Sequence, residues 1–259
     1  MPVDNEMYKL DGDLWWDERQ PLHFLRTGLN PARLTYFDQV CSRLGLEPAG
    51  RTVIDIGCGG GMLAEELARM GMTVIAVDPA EASLRTAREH ADRSGVRIDY
   101  RNGAGEQLPL EDASVDIAVC VDVLEHVDDV GVVLRETARV LRPEGLYVFD
   151  TVNRTPLSRL VMIKVGQEWR HTRWLPPNLH AWDHFVTPDE LRLAAGSVGL
   201  GVQEIVGLIP GVPPPTMYRL IRQLKKGALT YAEFGRRLKF KLDDDVRIGY
   251  IGYATKSPS

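Results

Sequence analysis

The sequence predicts a doubly wound α/β domain. Its sheet has seven strands, mostly parallel with an antiparallel C-terminal strand, helices on both faces, N-terminal helices and a C-terminal lid insertion. Three observations predict it. From Arg51 onward, short β-branched runs alternate with amphipathic stretches. A glycine-rich turn follows the first run and an aspartate closes the second. The first, second and fourth runs are apolar without alternation, as strands buried on both faces are.

Asn30-Pro31 reads as an N-cap followed by proline at the first helical position, with Leu34, Phe37, Cys41 and Leu44 as the apolar stripe of a helix expected to cap the sheet edge. Strands are expected at TVIDI (52–56), TVIAVD (73–78), VRIDYR (96–101), VDIAVCVDV (115–123), LYVFDTV (146–152), LGVQEIVGLI (200–209) and VRIGYIGYATK (246–256). Over 80–93, Leu84, Ala87 and Ala91 share one helical face opposite Arg85, Arg88, Glu89 and Asp92. After Asp128, Val132, Val133, Thr137, Val140 and Leu141 do the same until Pro143 and Gly145 end the helix. A Trp-rich loop (168–185) precedes a capped helix at Thr187-Pro188, and Pro213-Pro214-Pro215 breaks the chain before a basic segment. The expected organisation is one domain over 1–259. It comprises an N-terminal helical cap (1–50), a cofactor-binding core (51–152) and a substrate-side half (153–259) with a lid at 167–186 and an insertion at 210–242.

Composition narrows the function classes. With 31 Lys+Arg against 36 Asp+Glu, the net charge of -5 offers no global attraction to nucleic acid or anionic lipid. Cys41, Cys58 and Cys120 lack C-x-x-C spacing, so neither a disulfide framework nor a structural zinc site is expected. The opening MPVDNEMYKLDGD carries no apolar signal segment, and no apolar run approaches the ~18 residues of a membrane span. A cytoplasmic location is the expectation.

In VIDIGCGGGML, Gly57, Gly59 and Gly61 stand where a strand turns into a helix, letting backbone approach a nucleotide-like ligand at a helix N-terminus. Asp78, about 20 residues on, can accept both ribose hydroxyls of an adenosine. A dinucleotide needs G-x-G-x-x-G, but Met62 stands at the third glycine and Asp55 has no role beside a pyrophosphate; NAD is the alternative ligand. The pattern D-x-G-x-G-x-G resembles motif I of class I S-adenosylmethionine-dependent methyltransferases, and LPLEDASVDIAVCVDVLEHV and LRPEGLYVF are similar to later segments of that Rossmann-like family. The resemblance implies that Asp55 serves the methionine end of the cofactor and Asp78 the ribose, with Pro79 next to it. Many relatives hold the adenine amino group with an acid where Ala104 stands here. The contact then falls to backbone around Ala104 and Gly105 or to Asn102, and Glu106 beside them is also expected to bind the cofactor.

A closer resemblance rests on WWDERQPLHFLRTGLNPARLTYF (Trp15, Trp16, Asp17, Pro21, Leu22, His23, Asn30, Pro31, Arg33, Leu34), VCVDVLEHV, TVNRT and HAWDHFVTPDEL. These segments resemble the ubiquinone-pathway O-methyltransferases, which methylate polyprenyl-hydroxyphenol and demethylubiquinol substrates. By that resemblance Arg33 meets the cofactor carboxylate and Val121 lies beside adenine. Departures occur in the spacing of the N-terminal signature and in the long 210–242 insertion, both of which border the expected acceptor pocket.

A phenol ionises near pH ~10, so methylating it at neutral pH calls for a base or a metal. The resemblance implies that Asp122, Glu125 and His126 bind a divalent ion such as Mg2+, with Asp122 replacing the usual glutamate; the mixed donor set would also suit Mn2+ or Zn2+. Alternatively, Glu125 and His126 support the loop or accept a proton, and His180 is a second candidate base. His90, His171 and His184 read as surface or structural.

Trp169, Trp174 and Trp182 with Phe185 form either an aromatic lid over an apolar aromatic acceptor or a satellite core. Between Arg219 and Lys241, Arg219, Arg222, Lys225, Lys226, Arg236, Arg237, Lys239 and Lys241 face the single acid Glu233, a pattern fitting either peripheral membrane contact or a solvated helical lid. The expected function is S-adenosylmethionine-dependent O-methylation of a small phenolic or quinol acceptor. Alternatives are a C- or N-methyltransferase on the same scaffold, an NAD-dependent oxidoreductase, or a cofactor-bound module without catalysis.

Overall fold

A π-helical turn, Leu25–Leu29, runs without a break into helix α1 (Asn30–Leu44) in the computed structural model, which describes Tyr8 and residues 14–258. The acidic opening segment, Tyr8 apart, lies outside the described residues. Asn30 is therefore not an N-cap: the residue before it is already helical, and its side-chain oxygen instead accepts from Arg33 Nη1 at 3.1 Å. Pro31 follows a wider π turn, which gives its ring room beside the carbonyl four residues back that it would meet in a regular helix.

The core alternates strand and helix as expected: β1 (Thr52–Ile56), α2 (Met62–Arg69), β2 (Thr73–Asp78), α3 (Glu81–Ser94), β3 (Asp99–Asn102), β4 (Val115–Cys120), α4 (Val130–Val140) and β5 (Leu141–Val152). A three-residue helix α5 (Pro156–Ser158) continues as a π-helical segment, Arg159–Glu168, which the sequence reading missed. Next come α6 (Pro188–Ser197), β6 (Leu200–Ile209), α7 (Pro214–Lys225), α8 (Tyr231–Leu238), β7 (Lys241–Asp243) and β8 (Gly249–Lys256).

The sheet order is β3-β2-β1-β4-β5-β8-β6-β7, eight strands rather than seven. β3, β2, β1, β4 and β5 pair in parallel, while β8 inserts antiparallel between β5 and β6. The added strand β7 is a three-residue antiparallel edge on β6, too short to give a period-2 signal. β4 stops at Cys120, three residues short of the expected end, and Val121 to Val123 turn out over the strand ends where ligands of such sheets bind.

Adjacent residues in β1 show how the sheet divides the interior: Val53 joins one core, Ile54 the other. The first core holds α1, through Tyr36, Phe37, Val40 and Cys41, together with Leu67 of α2 and Leu84 of α3. Thus α1 covers a face of the sheet, against Val119, Val148 and Ile251, and not its edge; Leu44 of the expected stripe is exposed. The second core packs Val133 and Leu134 of α4 and Leu191 of α6 against Phe149 and Tyr250.

A third, smaller core lies under α7 and α8, where Leu220, Ile221, Leu224, Phe234 and Leu238 enclose Phe24 and Trp174. Trp174 thus belongs to a satellite core, whereas Trp169 is exposed and Trp182 donates its indole N–H to Thr155 O at 3.1 Å. Helix α8 crosses the π turn at a glycine pair: a Cβ on Gly235 would lie 2.8 Å from the Gly28 nitrogen. The insertion is therefore locked to the segment that leads into α1. Phe234 is fully buried in this junction. Phe234→Ala is expected to cost about 3–5 kcal/mol in unfolding free energy, measured by urea denaturation, because the rigid helices around it cannot close the cavity.

Candidate active site

The end of β1 meets α2 through a turn whose conformation only glycine adopts cheaply, with φ of 73°, 52° and 78° at Gly57, Gly59 and Gly61. Asp78, at the end of β2, fixes that turn: its Oδ2 accepts from Gly59 N–H and its Oδ1 from Ala80 N–H, both at 2.8 Å. Above the turn opens a cavity of about 250 Å³. Of the cofactor residues expected from sequence, Arg33, Asp55, Gly57, Asp78, Pro79, Gly105, Glu106 and Val121 line it. Gly59 and Gly61 do not; their missing side chains make room for Trp15 and for the Tyr100 hydroxyl.

Trp15, Tyr8 and Asn30 are lining residues the sequence reading did not assign to the site. The Trp15 ring lies on the glycine turn so closely that a Cβ on Gly60 would sit 2.2 Å from it. Its indole donates to Ser83 Oγ at 3.1 Å, and His23 Nδ1 donates to its carbonyl at 2.9 Å. Trp16 donates to Gly60 O at 2.9 Å and stacks on His90, whose ring is parallel to it within 3°. Two adjacent tryptophans in an otherwise polar segment were the available signal.

The Asp55 carboxylate is fully buried, and its Oδ2 has no hydrogen-bond partner among the described residues. Burial, then the neighbouring Asp78 charge, push Asp55 up to about 7. Burial also raises Asp78, against the pull of its two N–H donors. A buried carboxylate with a free oxygen facing a cavity is stabilised by a ligand carrying a positive charge.

On the other side of the cavity, Arg33 is almost wholly buried between two acids. Its Nη2 lies 2.5 Å from Asp122 Oδ2 and its Nε 2.6 Å from Asp150 Oδ2. These charges hold the guanidinium above its usual value despite burial. Asp150 also accepts the Asp122 N–H at 2.9 Å, pinning a non-glycine residue at φ 53°. Arg33, Asp122 and Asp150, with Thr151, form the polar end of a second cavity of about 110 Å³.

Glu125, His126 and His180 converge, with one potential ligand atom from each lying within 4.8 Å of the others. The expected metal set of Asp122, Glu125 and His126 is corrected accordingly: the Asp122 carboxylate is held by Arg33, and His180 joins Glu125 and His126. The shorter aspartate pairs with Arg33 of α1. Thr151 donates its hydroxyl to Glu125 Oε2 at 2.7 Å, and burial plus the Asp122 charge raise the Glu125 carboxyl despite that bond. His180 is delivered by a side chain from the π-helical segment: Gln167 accepts from the His180 N–H at 2.7 Å and donates to its carbonyl at 3.1 Å. Desolvation lowers both imidazoles, His126 to about 4 and His180 well below its usual value, so both are neutral bases at pH 7. His171 is exposed, and His90 binds Glu65 at 2.5 Å, away from the convergent group.

Comparison with known proteins places this geometry. Residues 54–149 match the methyltransferase domain family. The chain is 40% identical over 208 residues to the ubiquinone biosynthesis O-methyltransferase of Azorhizobium caulinodans, covering 76% of this chain and 80% of that protein. The chain belongs to the ubiquinone biosynthesis O-methyltransferase family. It is an S-adenosylmethionine-dependent methyltransferase. A Caulobacter sp. (strain K31) member of the family is 42% identical over 202 residues, with 74% and 78% of the two chains covered. The fold is shared with a Pyrococcus horikoshii protein at TM-score 0.62 and 16% identity, covering 98% and 99% of the two chains. It is also shared with the magnesium protoporphyrin IX methyltransferase of Synechocystis PCC 6803, at TM-score 0.60 and 17% identity, covering 97% and 92%.

The depressed His126 gives a pH signature in this methyltransferase. As pH falls below the ordinary histidine value of about 6.5, the unfolded chain takes the proton while the native ring resists until about 4. His126 therefore contributes its full share of stability above pH 6.5 and loses it progressively between 6.5 and 4. Urea unfolding at stepped pH is expected to show a shallower acid loss in His126→Asn than in the parent; identical slopes would contradict a desolvated neutral ring.

Proposed function

We propose that this enzyme transfers a methyl group from S-adenosylmethionine to a hydroxyl of a phenolic or quinol intermediate of the kind the ubiquinone pathway uses. The carrying observation is the opposition, around one cavity, of a buried carboxylate with one unpartnered oxygen, Asp55, and a neutral imidazole, His126. Asp55 suits the cofactor's ammonium, Asp78 its ribose hydroxyls, and Gly105, Glu106, Pro79 and Val121 the adenine side. Arg33, ion-paired but bordering the cavity, suits the cofactor carboxylate. When bound, the sulfonium supplies an electrophilic methyl group open to in-line displacement.

Catalysis then rests on alignment and on presenting the acceptor oxygen as its anion. His126, neutral and on the cavity wall, accepts the hydroxyl proton as the methyl group transfers, and His180, held by Gln167, lies beside it with ring centroids 5.2 Å apart. Glu125, anchored by Thr151, completes the group. Its Glu/His/His donors would also fit a divalent ion, Zn2+ or Mn2+ by their nitrogen content in preference to Mg2+, which would bind the acceptor's oxygens and lower their affinity for protons.

Calorimetry with S-adenosylhomocysteine, NAD and NADP tests the cofactor half of this reading. Binding of the homocysteine product alone is expected, weakened at least tenfold in Asp78→Ala; binding of NAD instead would sink it. Turnover of catechols and quinols tests the other half. His126→Ala is expected to lose about 100-fold in kcat with cofactor affinity retained. If a metal acts, a chelator produces the same loss in the parent enzyme; if His126 is the direct base, the chelator has no effect.

No helix among the described residues is long and apolar enough to cross a membrane. The basic residues of α7, α8 and the adjoining turns are all exposed, beside the exposed Tyr218, while Leu220, Ile221 and Leu224 face inward. This charged face suits peripheral contact with an anionic lipid surface. Sedimentation with phosphatidylglycerol vesicles is expected at low salt and not with neutral vesicles; equal behaviour with both would remove this contact.

A further inference from the structure

Arg33 is the one Lys or Arg side chain among the described residues that line the cofactor cavity, to which Asp55, Asp78, Glu106 and Asp122 bring four carboxylates. The amino-acid end of S-adenosylmethionine is a zwitterion. Its ammonium has Asp55 to meet, but its carboxylate has to enter an acidic cavity whose single cation is already paired with Asp122 and Asp150. One of those two acids must give way before a ligand carboxylate can reach the guanidinium.

The two acids are not equivalent. Asp150 keeps only 3% of its side chain exposed; its Oδ2 accepts a hydrogen bond from Arg33 Nε at 2.6 Å, and its Oδ1 accepts the Asp122 N–H at 2.9 Å. Arg33 Nη1 donates to Asn30 Oδ1 at 3.1 Å, so Asn30 and Asp150 together fix the plane of the guanidinium. Asp122 keeps 30% of its side chain exposed. Its Oδ2 lies 2.5 Å from Nη2, yet that buried nitrogen makes no aligned hydrogen bond among the described residues. A ligand carboxylate can replace Asp122 there like for like. Arg33 then keeps two negative neighbours to compensate its burial, and the Asp122 side chain turns toward solvent while its backbone stays pinned by Asp150.

We propose that Asp122 is a placeholder for the cofactor carboxylate: it neutralises Arg33 Nη2 until the cofactor's amino-acid end arrives, and then yields that position to it. The inference rests on the assignment of Arg33 to the cofactor carboxylate under the functional reading above. Its consequence has a sign that a supporting role would not produce. Removing a competitor tightens ligand binding, whereas removing a residue that merely props the cavity wall weakens it or leaves it unchanged.

Calorimetry on the full chain tests this with two ligands, S-adenosylhomocysteine and its decarboxylated analogue, which keeps the adenosine, the thioether and the ammonium. Asp122→Asn preserves the side-chain volume and suits the backbone at φ 53°, a conformation asparagine adopts more readily than most residues; Asp122→Gly removes the side chain and is unstrained there. Each variant leaves Arg33 paired with Asp150. Both are expected to bind S-adenosylhomocysteine about tenfold more tightly than the parent, the scale of one charge-assisted hydrogen bond, with affinity for the decarboxylated analogue within about twofold of the parent's. If circular dichroism shows that one variant does not fold, the other decides. Unchanged or weaker binding of S-adenosylhomocysteine, or a gain shared equally by the decarboxylated analogue, overturns the placeholder while binding by the parent leaves the cofactor reading standing. A parent that binds no S-adenosylhomocysteine defeats the cofactor reading, and the placeholder with it.

Discussion

A buried guanidinium holds this site together. Arg33 projects from α1 to the ends of β4 and β5, where Asp122 and Asp150 meet it at 2.5 and 2.6 Å. A buried ion pair of this kind adds little net stability over an apolar replacement, yet leaving one partner uncompensated is costly. Its value here is positional. The bridge ties the N-terminal helix to two strand ends, holds Asp122 in a left-handed backbone, and forms the wall between the two cavities.

From that wall the rest of the site follows along β5. Asp150 and Thr151 are neighbours in one strand: one orders Arg33 and Asp122, the other Glu125. Electrostatics then divide the roles. Carboxylates gathered away from water are raised, so Asp55 and Glu125 resist ionisation without a cation beside them, whereas the same desolvation lowers His126 and His180 and leaves both rings neutral at pH 7. One physical effect thus prepares a cation-accepting end and a proton-accepting end around a single cavity.

The cofactor end was legible in the residues because its elements are local. A glycine turn, an acid two residues before it and an acid at the next strand end are each fixed by spacing within one β-α-β unit. The convergent Glu125, His126 and His180 were readable only as candidates. The first two are adjacent in sequence, but His180 arrives on a loop secured by Gln167, and no periodicity announces that contact. The displacement of Asp122 from the metal set to Arg33 was invisible for the same reason, since its partner lies on a helix far away in the chain.

By itself the sequence determined the alternation of strands and helices, the turn that fits a nucleoside, and the family, all of which follow from patterns within a few tens of residues. Tertiary structure alone decided that α1 covers a sheet face, that Trp15 rests on the glycine turn, and that the insertion lines the second cavity with Met217 and Phe240. The physical reason is that packing and ion pairing depend on distance in space and on exclusion of water. A guanidinium 117 residues from its carboxylate acquires its role only when the fold brings the two to hydrogen-bonding distance and buries them together.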